Sequence, residues 1–527
     1  MVSIGCKAPY VQQSNQKMNV LFILVDDLGV VDLSVEGSTF YETPHIDKLA
    51  NSGMRFTSGY ANCSVCSPSR ASILTGKAPP RHGVTDWIGA KTGLAWNRND
   101  KILTPPNATH LPHDEITIAE TLQAAGYKTF YSGKWHLGGM ANVNKKDKGA
   151  PLTSMPTDHG FEINIGGYKS GSPSGGYFAP FKNPALGGVG EIPQGKHLSQ
   201  MLAEETAKFI EVNQDKPFLA YLSFYAVHGS IQTSEQLWRK YQQKATQRGL
   251  ADKRFKFDRT MAVRQVQDNP VYGGLIEQMD DAVGIVMDKL AALDLLDNTV
   301  VIFTSDNGGV SSGDSFSSAM LPYRGGKGRQ WEGGIREPYY IVAPGVTKPK
   351  SVCDTPVTGT DFYPTILDLV GLDLKPEQHQ DGVSLVPLLK GGGITKRNLY
   401  WHYPHYGNQG GEPSAIIRTG DYKLIHYYED GRDELYHVKN DIGEQDDIIA
   451  SHNDKAVKMR NALEDWLEDT GAVIPTLDNR FDADLKAKQL TNKRTVHLQK
   501  LERNEAKMLS ADWQPNKTWW SSKVTSD

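Results

Sequence analysis

The segment Cys66-Ser67-Pro68-Ser69-Arg70-Ala71-Ser72-Ile73-Leu74-Thr75-Gly76-Lys77 concentrates more chemistry than any other stretch of the chain. Ser67 and Pro68 suit a first helical turn, and Gly76 suits a stop. The segment therefore predicts a helix with Cys66 at its N-terminus, where unpaired N–H groups and the helix dipole favour anions and thiolates. Arg70, one turn along, reaches the same point. The plainer reading is a Ser-Pro helix start that happens to follow a cysteine. Cys63-Ser64-Val65-Cys66 also spells a C-x-x-C, the spacing of redox dithiols and half zinc sites. The other cysteines are Cys6 and Cys353, too far apart in sequence to form a second such pair. Cys63 and Cys353 read better as buried apolar residues.

Four apolar runs are each followed by polar residues able to act together. Asn19–Val25 ends in Asp26-Asp27, and Thr129–Tyr131 runs into Gly133-Lys134-Trp135-His136. Phe218–Phe224 ends shortly before His228, and Thr299–Thr304 shortly before Asp306-Asn307-Gly308. In open α/β sheets ligands bind beyond the carboxyl ends of the strands. Carboxylates, an amide, two imidazoles and an ammonium thus converge on one edge. Asp26, Asp27, Asp306 and Asn307 are hard oxygen donors, which favours calcium over zinc. Either pair by itself reads as a turn; two pairs at two strand ends of one sheet read as a metal site.

The elements that must position these residues are legible as patterns. Continuous apolar runs mark parallel strands covered on both faces, and helical patterns lie between them. Asp114–Ala125 starts acidic and stops at Gly126. Pro270–Leu293 carries Leu275, Met279, Val283, Val286 and Leu290 at helical spacing. Strands alternating with helices predict an α/β fold over residues 18–390, a large mainly parallel sheet sandwiched by helices. Beyond it come short strand candidates at Leu399–Tyr403, Ala415–Arg418, Tyr422–Tyr428 and Glu434–His437, joined by glycine turns. With the amphipathic helix Ala456–Leu467 they predict a smaller α+β subdomain over residues 391–480, built on an antiparallel sheet. Residues 481–527 are charged with scattered aromatics and read as an extension, a peripheral helix or a wrapping tail. Residues 1–17 read as a leader remnant or a disordered segment.

Together these motifs resemble the type I sulfatase family of the alkaline-phosphatase-like superfamily. Its signature has the form Cys-x-Pro-Ser-Arg followed by Thr-Gly-Arg; here Lys77 stands at the second arginine. The resemblance runs from Asn19 to roughly Gly443. It takes in Thr43-Pro44-His45-Ile46-Asp47 and the loop Arg324-Gly325-Gly326-Lys327 followed by Glu332-Gly333-Gly334. The resemblance implies that a formylglycine-generating or anaerobic sulfatase-maturing enzyme oxidises Cys66 to formylglycine (3-oxoalanine), whose hydrate attacks sulfur. It implies Ca2+ held by Asp26, Asp27, Asp306, Asn307 and the modified Cys66. It assigns Arg70 to stabilising the nucleophile, Lys134 and Lys327 to holding sulfate, His136 to the base and His228 to the leaving group. One departure is visible, since Gly229-Ser230 follows His228 where many relatives have a proline nearby.

At 527 residues and a formal net charge of −4, the chain can bury more than one core and gives no reason to expect a nucleic-acid partner. An anionic substrate must be caught by local cations. No run approaches the roughly 18–20 apolar residues of a membrane helix, so no membrane span is expected. Ser3-Ile4-Gly5-Cys6 resembles the end of a bacterial lipoprotein signal, with Ser3 where Leu is usual. That predicts an extracytoplasmic location, periplasmic, lipid-anchored or secreted; the alternative is an ordinary N-terminus. Trp96 and Arg98, with Trp87 in the same insertion, and His402 and His405 in Trp401–Tyr406 suit a sugar ring bearing negative groups. The competing reading is that these residues seal an interface between domains. Gly-rich residues 166–176 shape a pocket rim or a surface loop. The overall pattern looks like bacterial carbohydrate sulfatases, so the expected substrate is a sulfated polysaccharide or derived oligosaccharide. The alternatives are a phosphodiesterase or phosphonate monoester hydrolase of the same superfamily, and a non-catalytic glycan-binding relative unmodified at Cys66.

Overall fold

The computed structural model describes residues 17–140, 152–173, 175–186, 189–513 and 522–525; the lipoprotein-like stretch at Ser3 to Cys6 lies outside them. Eight strands form the large sheet: β1 (Asn19–Val25), β2 (Met54–Phe56), β3 (Lys128–Gly133), β4 (Ile163–Ile165), β5 (Phe218–Ser223), β6 (Thr299–Ser305), β7 (Tyr339–Val342) and β8 (Ser351–Cys353). Their order across the sheet is β8-β2-β7-β6-β1-β5-β3-β4. Only β7 runs antiparallel to its neighbours; the remaining pairs are parallel. The sheet is therefore mainly parallel, as expected.

β1 lies in the middle, and its apolar run is continuous because both faces are covered. Leu21, Ile23 and Val25 enter one core and Val20, Phe22 and Leu24 the other. Each buried aliphatic or aromatic side chain contributes about 1.5–3 kcal/mol. The helices that cover the faces are α1 (Cys66–Thr75), α2 (Ile118–Ala124), α3 (Leu198–Val212), α4 (Pro270–Ala292) and α5 (Phe362–Leu369). Sheet register does the positioning. Val25 pairs with Ser305, Leu24 with Ser223, and Ser223 with Gly133. Asp26, Asp306, Phe224 and Lys134 consequently leave the sheet side by side.

α2 begins at Ile118, four residues later than its acidic start predicted. Thr117 caps it by accepting from the Glu120 N–H, while the Glu120 carboxylate accepts from the Thr117 N–H at 2.8 Å. This reciprocal capping box fixes the true start. Glu115 instead pairs with Lys77 at 2.8 Å, so its charge serves a tertiary contact rather than the helix dipole.

The C-terminal unit is a four-stranded antiparallel sheet, β9 (Asn398–Tyr403), β10 (Ser414–Thr419), β11 (Tyr422–Tyr427) and β12 (Asp433–His437), in sequential order. α6 (Asn453–Asp469) lays Met459, Leu463 and Leu467 on one face, against Ile417, Leu424 and Leu435. The opposite face presents Trp401, Ile416 and Ile425 to Tyr60, Trp331 and Ile335. This alternation is what a small sheet packed on both sides requires. Two further helices follow, α7 (Ala483–Asn492) and α8 (Leu498–Met508), and α8 docks through Glu505, whose carboxylate meets Arg264 at 2.7 Å in a buried pair. Among the described residues no helix is long and apolar enough to cross a membrane.

Candidate functional site

Cys66 is the first residue of α1, Val65 before it is extended, and Gly76 ends the helix in the left-handed conformation at φ 70. The whole helix is buried. Ser67 Oγ donates to the His136 carbonyl at 2.8 Å and accepts from the Ile88 N–H at 3.0 Å, which ties the helix start to two loops. Arg70 Nε donates to Asp306 at 2.7 Å, and its Nη1 donates to the Lys134 carbonyl and to Ser223 Oγ at 2.8 and 2.7 Å. One guanidinium thus joins α1 to the ends of β3, β5 and β6.

Around Cys66 the buried charges interlock. Lys134 Nζ donates to both Asp26 oxygens, and Lys327 Nζ donates to Asp27 Oδ2 at 2.7 Å. Asn307 Nδ2 donates to Asp27 Oδ1 at 2.8 Å, and the Asp27 N–H donates to Asp306 Oδ1 at 3.1 Å. Ligand atoms of Asp26, Asp27 and Cys66 all lie within 4.8 Å of one another. Asn307 Oδ1 is buried and has no hydrogen-bond partner. A buried amide oxygen left unpaired beside three carboxylates is the environment of a hard cation. The donor set fits Ca2+, with Asp26, Asp27, Asp306 and Asn307 as the holding residues.

Burial pushes the Asp26 carboxyl well above its ordinary pKa, in spite of Lys134. For Asp27 burial acts the same way, but Lys327 and His228 outweigh it and hold the carboxyl well below the ordinary range. Burial pushes the Cys66 thiol up to about 11, against the pull of Lys134 and Lys327. This corrects the expectation that the helix N-terminus yields a thiolate, since desolvation outweighs the dipole and the lysines. Cys63 sits apart, packed with Val65 and Tyr403, its N–H and carbonyl both bonded to Ser69 Oγ.

Two histidines face the same space. His136 is buried and its backbone is left-handed at φ 55, a strained state for a residue with a Cβ. Its Nδ1 has no hydrogen-bond partner. Burial first, then Lys134 and Arg70, hold its pKa well below the ordinary value, so the ring is neutral. His228 Nε2 lies 3.7 Å from Asp27 Oδ2, and burial and Lys327 lower its pKa to about 4.

Cys66, His136, His228 and Lys327 line one cavity of about 380 Å3. The structure also brings to it residues that carried no sequence signal, namely Asp314, Asn408 and Gln409. Lys169 to Ser172 form part of the rim, within the glycine-rich loop, and Trp87 faces the His136 ring at 6.4 Å between centroids. Gly171 approaches His136 so closely that a Cβ there would lie 2.4 Å from the ring.

Four residues expected to bind substrate lie elsewhere. His402 is buried against the Tyr428 hydroxyl at 2.8 Å, and His405 against Thr85 Oγ1 at 2.9 Å. Trp96 is buried too, stacked on Tyr406 and bonded to Asp100 at 2.9 Å. Trp96 and His405 thus seal the contact between the C-terminal unit and the large domain, while His402 is held within the C-terminal unit by Tyr428 and the Val473 carbonyl. Arg98 is exposed, lies over the Trp96 ring and lines a separate cleft.

A family model described as Sulfatase matches residues 18–372, and one described as N-sulphoglucosamine sulphohydrolase, C-terminal, matches residues 327–471. A "Sulfatase" of Formosa agariphila is 31% identical over 86% of this chain and 90% of its own length. Human arylsulfatase A is 31% identical over 78% of this chain and 75% of its own. Among solved structures, Ps i-CgsB in complex with k-i-k-neocarrahexaose superposes with a TM-score of 0.69 at 24% identity, covering 93% of this chain and 100% of its own. A structure in complex with its substrate D-glucosamine-2-N,6-O-disulfate gives a TM-score of 0.64 at 20% identity, covering 86% and 98%.

Proposed function

The chain belongs to the sulfatase family and hydrolyses sulfate esters, and we propose that the ester is carried on a carbohydrate and attacked from Cys66 once that residue is oxidised to formylglycine. The observation that carries the reading is the approach of Cys66 to Asp26 and Asp27 within 4.8 Å, at a cavity also lined by Lys327, His136 and His228. Formylglycine supplies a hydrated aldehyde as nucleophile, and Ca2+ held by Asp26, Asp27, Asp306 and Asn307 supplies the charge that makes it acidic.

The chain's own residues do the rest. Lys134 and Lys327 are fixed by Asp26 and Asp27 before substrate arrives. Lys327 lines the cavity and meets the sulfuryl oxygens, and Lys134, wholly buried behind it, adds its charge to the same field without reorganisation. Arg70 holds Asp306 and the Lys134 carbonyl in register. Lys327, kept protonated beside Asp27, carries the proton for the departing alcohol, with neutral His228 beside it at the cavity wall, and neutral His136 accepts one through its unpartnered Nδ1. Trp87 offers an aromatic face at the cavity, with Asn408 and Gln409 as polar neighbours, a combination suited to a sugar ring. Two relatives in fold are captured with a neocarrahexaose and a glucosamine disulfate, which supports the carbohydrate reading. An extracytoplasmic location, where such glycans are met, belongs to the same proposal.

The test is sulfate release from sulfated oligosaccharides of defined linkage, run beside an aryl sulfate and an aryl phosphodiester. The mass of the Cys66 peptide is measured on the same batch. Release from at least one saccharide by formylglycine-bearing protein is expected. Modified protein that leaves every saccharide intact, or that prefers the diester, overturns the reading.

A further inference from the structure

A second cleft, larger than the one at Cys66, opens on the described surface. It measures about 980 Å3 and lies between the insertion Asn97–Asp100 and α7 with the π-helical segment Lys493–His497 that joins it to α8. Its walls are tied together: Asn99 Nδ2 donates to the Asp482 carbonyl at 2.7 Å, and the Asp482 N–H donates to Asn99 Oδ1 at 2.8 Å. Lys486 pairs with Asp100 across the same gap.

Its charge is one-sided. Arg98, Arg480, Lys486, Lys488 and Lys493 line the cleft against two carboxylates, Asp100 and Asp482. Arg480 is paired with Asp478 at 2.7 Å, while Arg98 and Lys486 share Asp100. Lys488 and Lys493 have no ion pair among the described residues. Burial, with Arg98 and Lys486 nearby, lowers the Lys493 pKa. Such cations gain from an anion and have no carboxylate of their own. Leu485, exposed in the same wall, adds an apolar surface.

The cleft also adjoins the catalytic cavity. Arg98 Nη1 donates to Asn408 Oδ1 at 3.4 Å; Arg98 lines the cleft and Asn408 lines the cavity over Cys66. The cavity itself, at about 380 Å3, is near the small end of ligand pockets. A substrate filling both spaces needs several sugar units and anionic groups beyond the ester being cut.

We propose that this cleft is a second anion-binding site that holds a distant sulfated or carboxylated unit of an oligosaccharide whose ester lies at Cys66. The proposal rests on the carbohydrate reading of the catalytic site. It makes the enzyme selective for chains longer than a disaccharide, with the C-terminal helices reading their length.

The experiment compares formylglycine-bearing parent with a K488E/K493E variant. The substrates are 4-nitrophenyl sulfate and size-graded sulfated oligosaccharides, di- to hexasaccharide, from carrageenan and heparin. The parent is expected to show kcat/KM rising with chain length. In the variant the ratio of kcat/KM on the hexasaccharide to that on 4-nitrophenyl sulfate is expected to fall about tenfold, mainly through KM, and the parent's preference is expected to weaken in added salt. Both lysines lie in the C-terminal extension, and a thermal melt matching the parent's confirms the fold. A parent that cleaves disaccharide and hexasaccharide equally, or a variant with an unchanged ratio, overturns the cleft and leaves the carbohydrate reading standing. A parent that cleaves the aryl sulfate and no saccharide overturns the carbohydrate reading and the cleft together.

Discussion

Lys134 Nζ donates to both oxygens of the Asp26 carboxylate, at 2.8 and 2.7 Å, and neither side chain reaches solvent. A fully buried ion pair costs more in desolvation than a surface pair returns, and removing one partner is worse, at about 3–5 kcal/mol. Its place beside Cys66 makes the cost intelligible under the proposed mechanism, in which the fixed ammonium adds positive charge where sulfate is to bind. Lys134→Met is therefore expected to lower kcat/KM by about 100–1000-fold. It should also make the melting temperature more sensitive to calcium than the parent's, because Asp26 then has only Arg70 and the metal to offset it. Paired kinetics and melts with and without calcium check both. A variant with parental kcat/KM would remove Lys134 from the sulfate site.

Asn307 Oδ1, buried without a partner, makes the metal testable apart from turnover. Calcium at about a hundred times its dissociation constant should stabilise the chelator-treated protein by about 2.7 kcal/mol. Asn307→Leu should lose most of that gain, and Asp306→Asn likewise. Calorimetric titration of calcium into Cys66→Ser protein reads the affinity without any catalysis. Equal binding by Asn307→Leu and the parent would mean the amide oxygen does not hold the ion.

The parts of this site legible in the sequence are those that follow a strand directly. Asp26, Lys134 and Asp306 are aligned by the parallel register of β1, β3, β5 and β6, which the apolar runs already imply. Trp96, His402 and His405 mislead because a sugar platform and a buried packing contact use the same residue types. Only the fold decides between them, through contacts such as His405 with Thr85 across more than three hundred residues. Asp314, Asn408 and Gln409 sit in loops whose paths no local pattern encodes. The Cys66 thiol misleads for another reason: a helix start is local, whereas the depth that raises its pKa is not. The late start of α2 is a milder case, since Thr117 and Glu120 spell a capping box that acidic composition upstream obscures.

Gly171 offers a probe of His136 that leaves the histidine in place. A Cβ on Gly171 would lie 2.4 Å from His136 Cε1, so Gly171→Ala must displace the ring or the loop. Small displacements of a catalytic group cost up to about a hundredfold in rate. The expectation is a fall of about ten- to a hundredfold in kcat, with a melting temperature close to the parent's because the loop belongs to the rim rather than a core. Full activity in Gly171→Ala would show that the ring position is not critical.

Acid stability follows from histidines remote from the catalytic chemistry. His82 is buried, its Nδ1 accepts from the Val84 N–H at 3.2 Å, and burial with Lys77 lowers its pKa from 6.5 to about 3. His197 is buried beside Tyr177 and Phe178 with neither ring nitrogen bonded, and burial alone lowers its pKa to about 3. Below 6.5 the unfolded chain takes up protons on these rings that the folded chain refuses. The unfolded state then binds more protons, so stability falls as pH drops from about 6.5 toward 3 and is flat, for these groups, above that window. Each ring contributes a slope of at most about 1.4 kcal/mol per pH unit. His197→Phe should remove one such slope, so its urea-unfolding free energy should decline less steeply than the parent's between neutral and mildly acidic pH. Parallel profiles for variant and parent would mean that His197 is protonated in the fold.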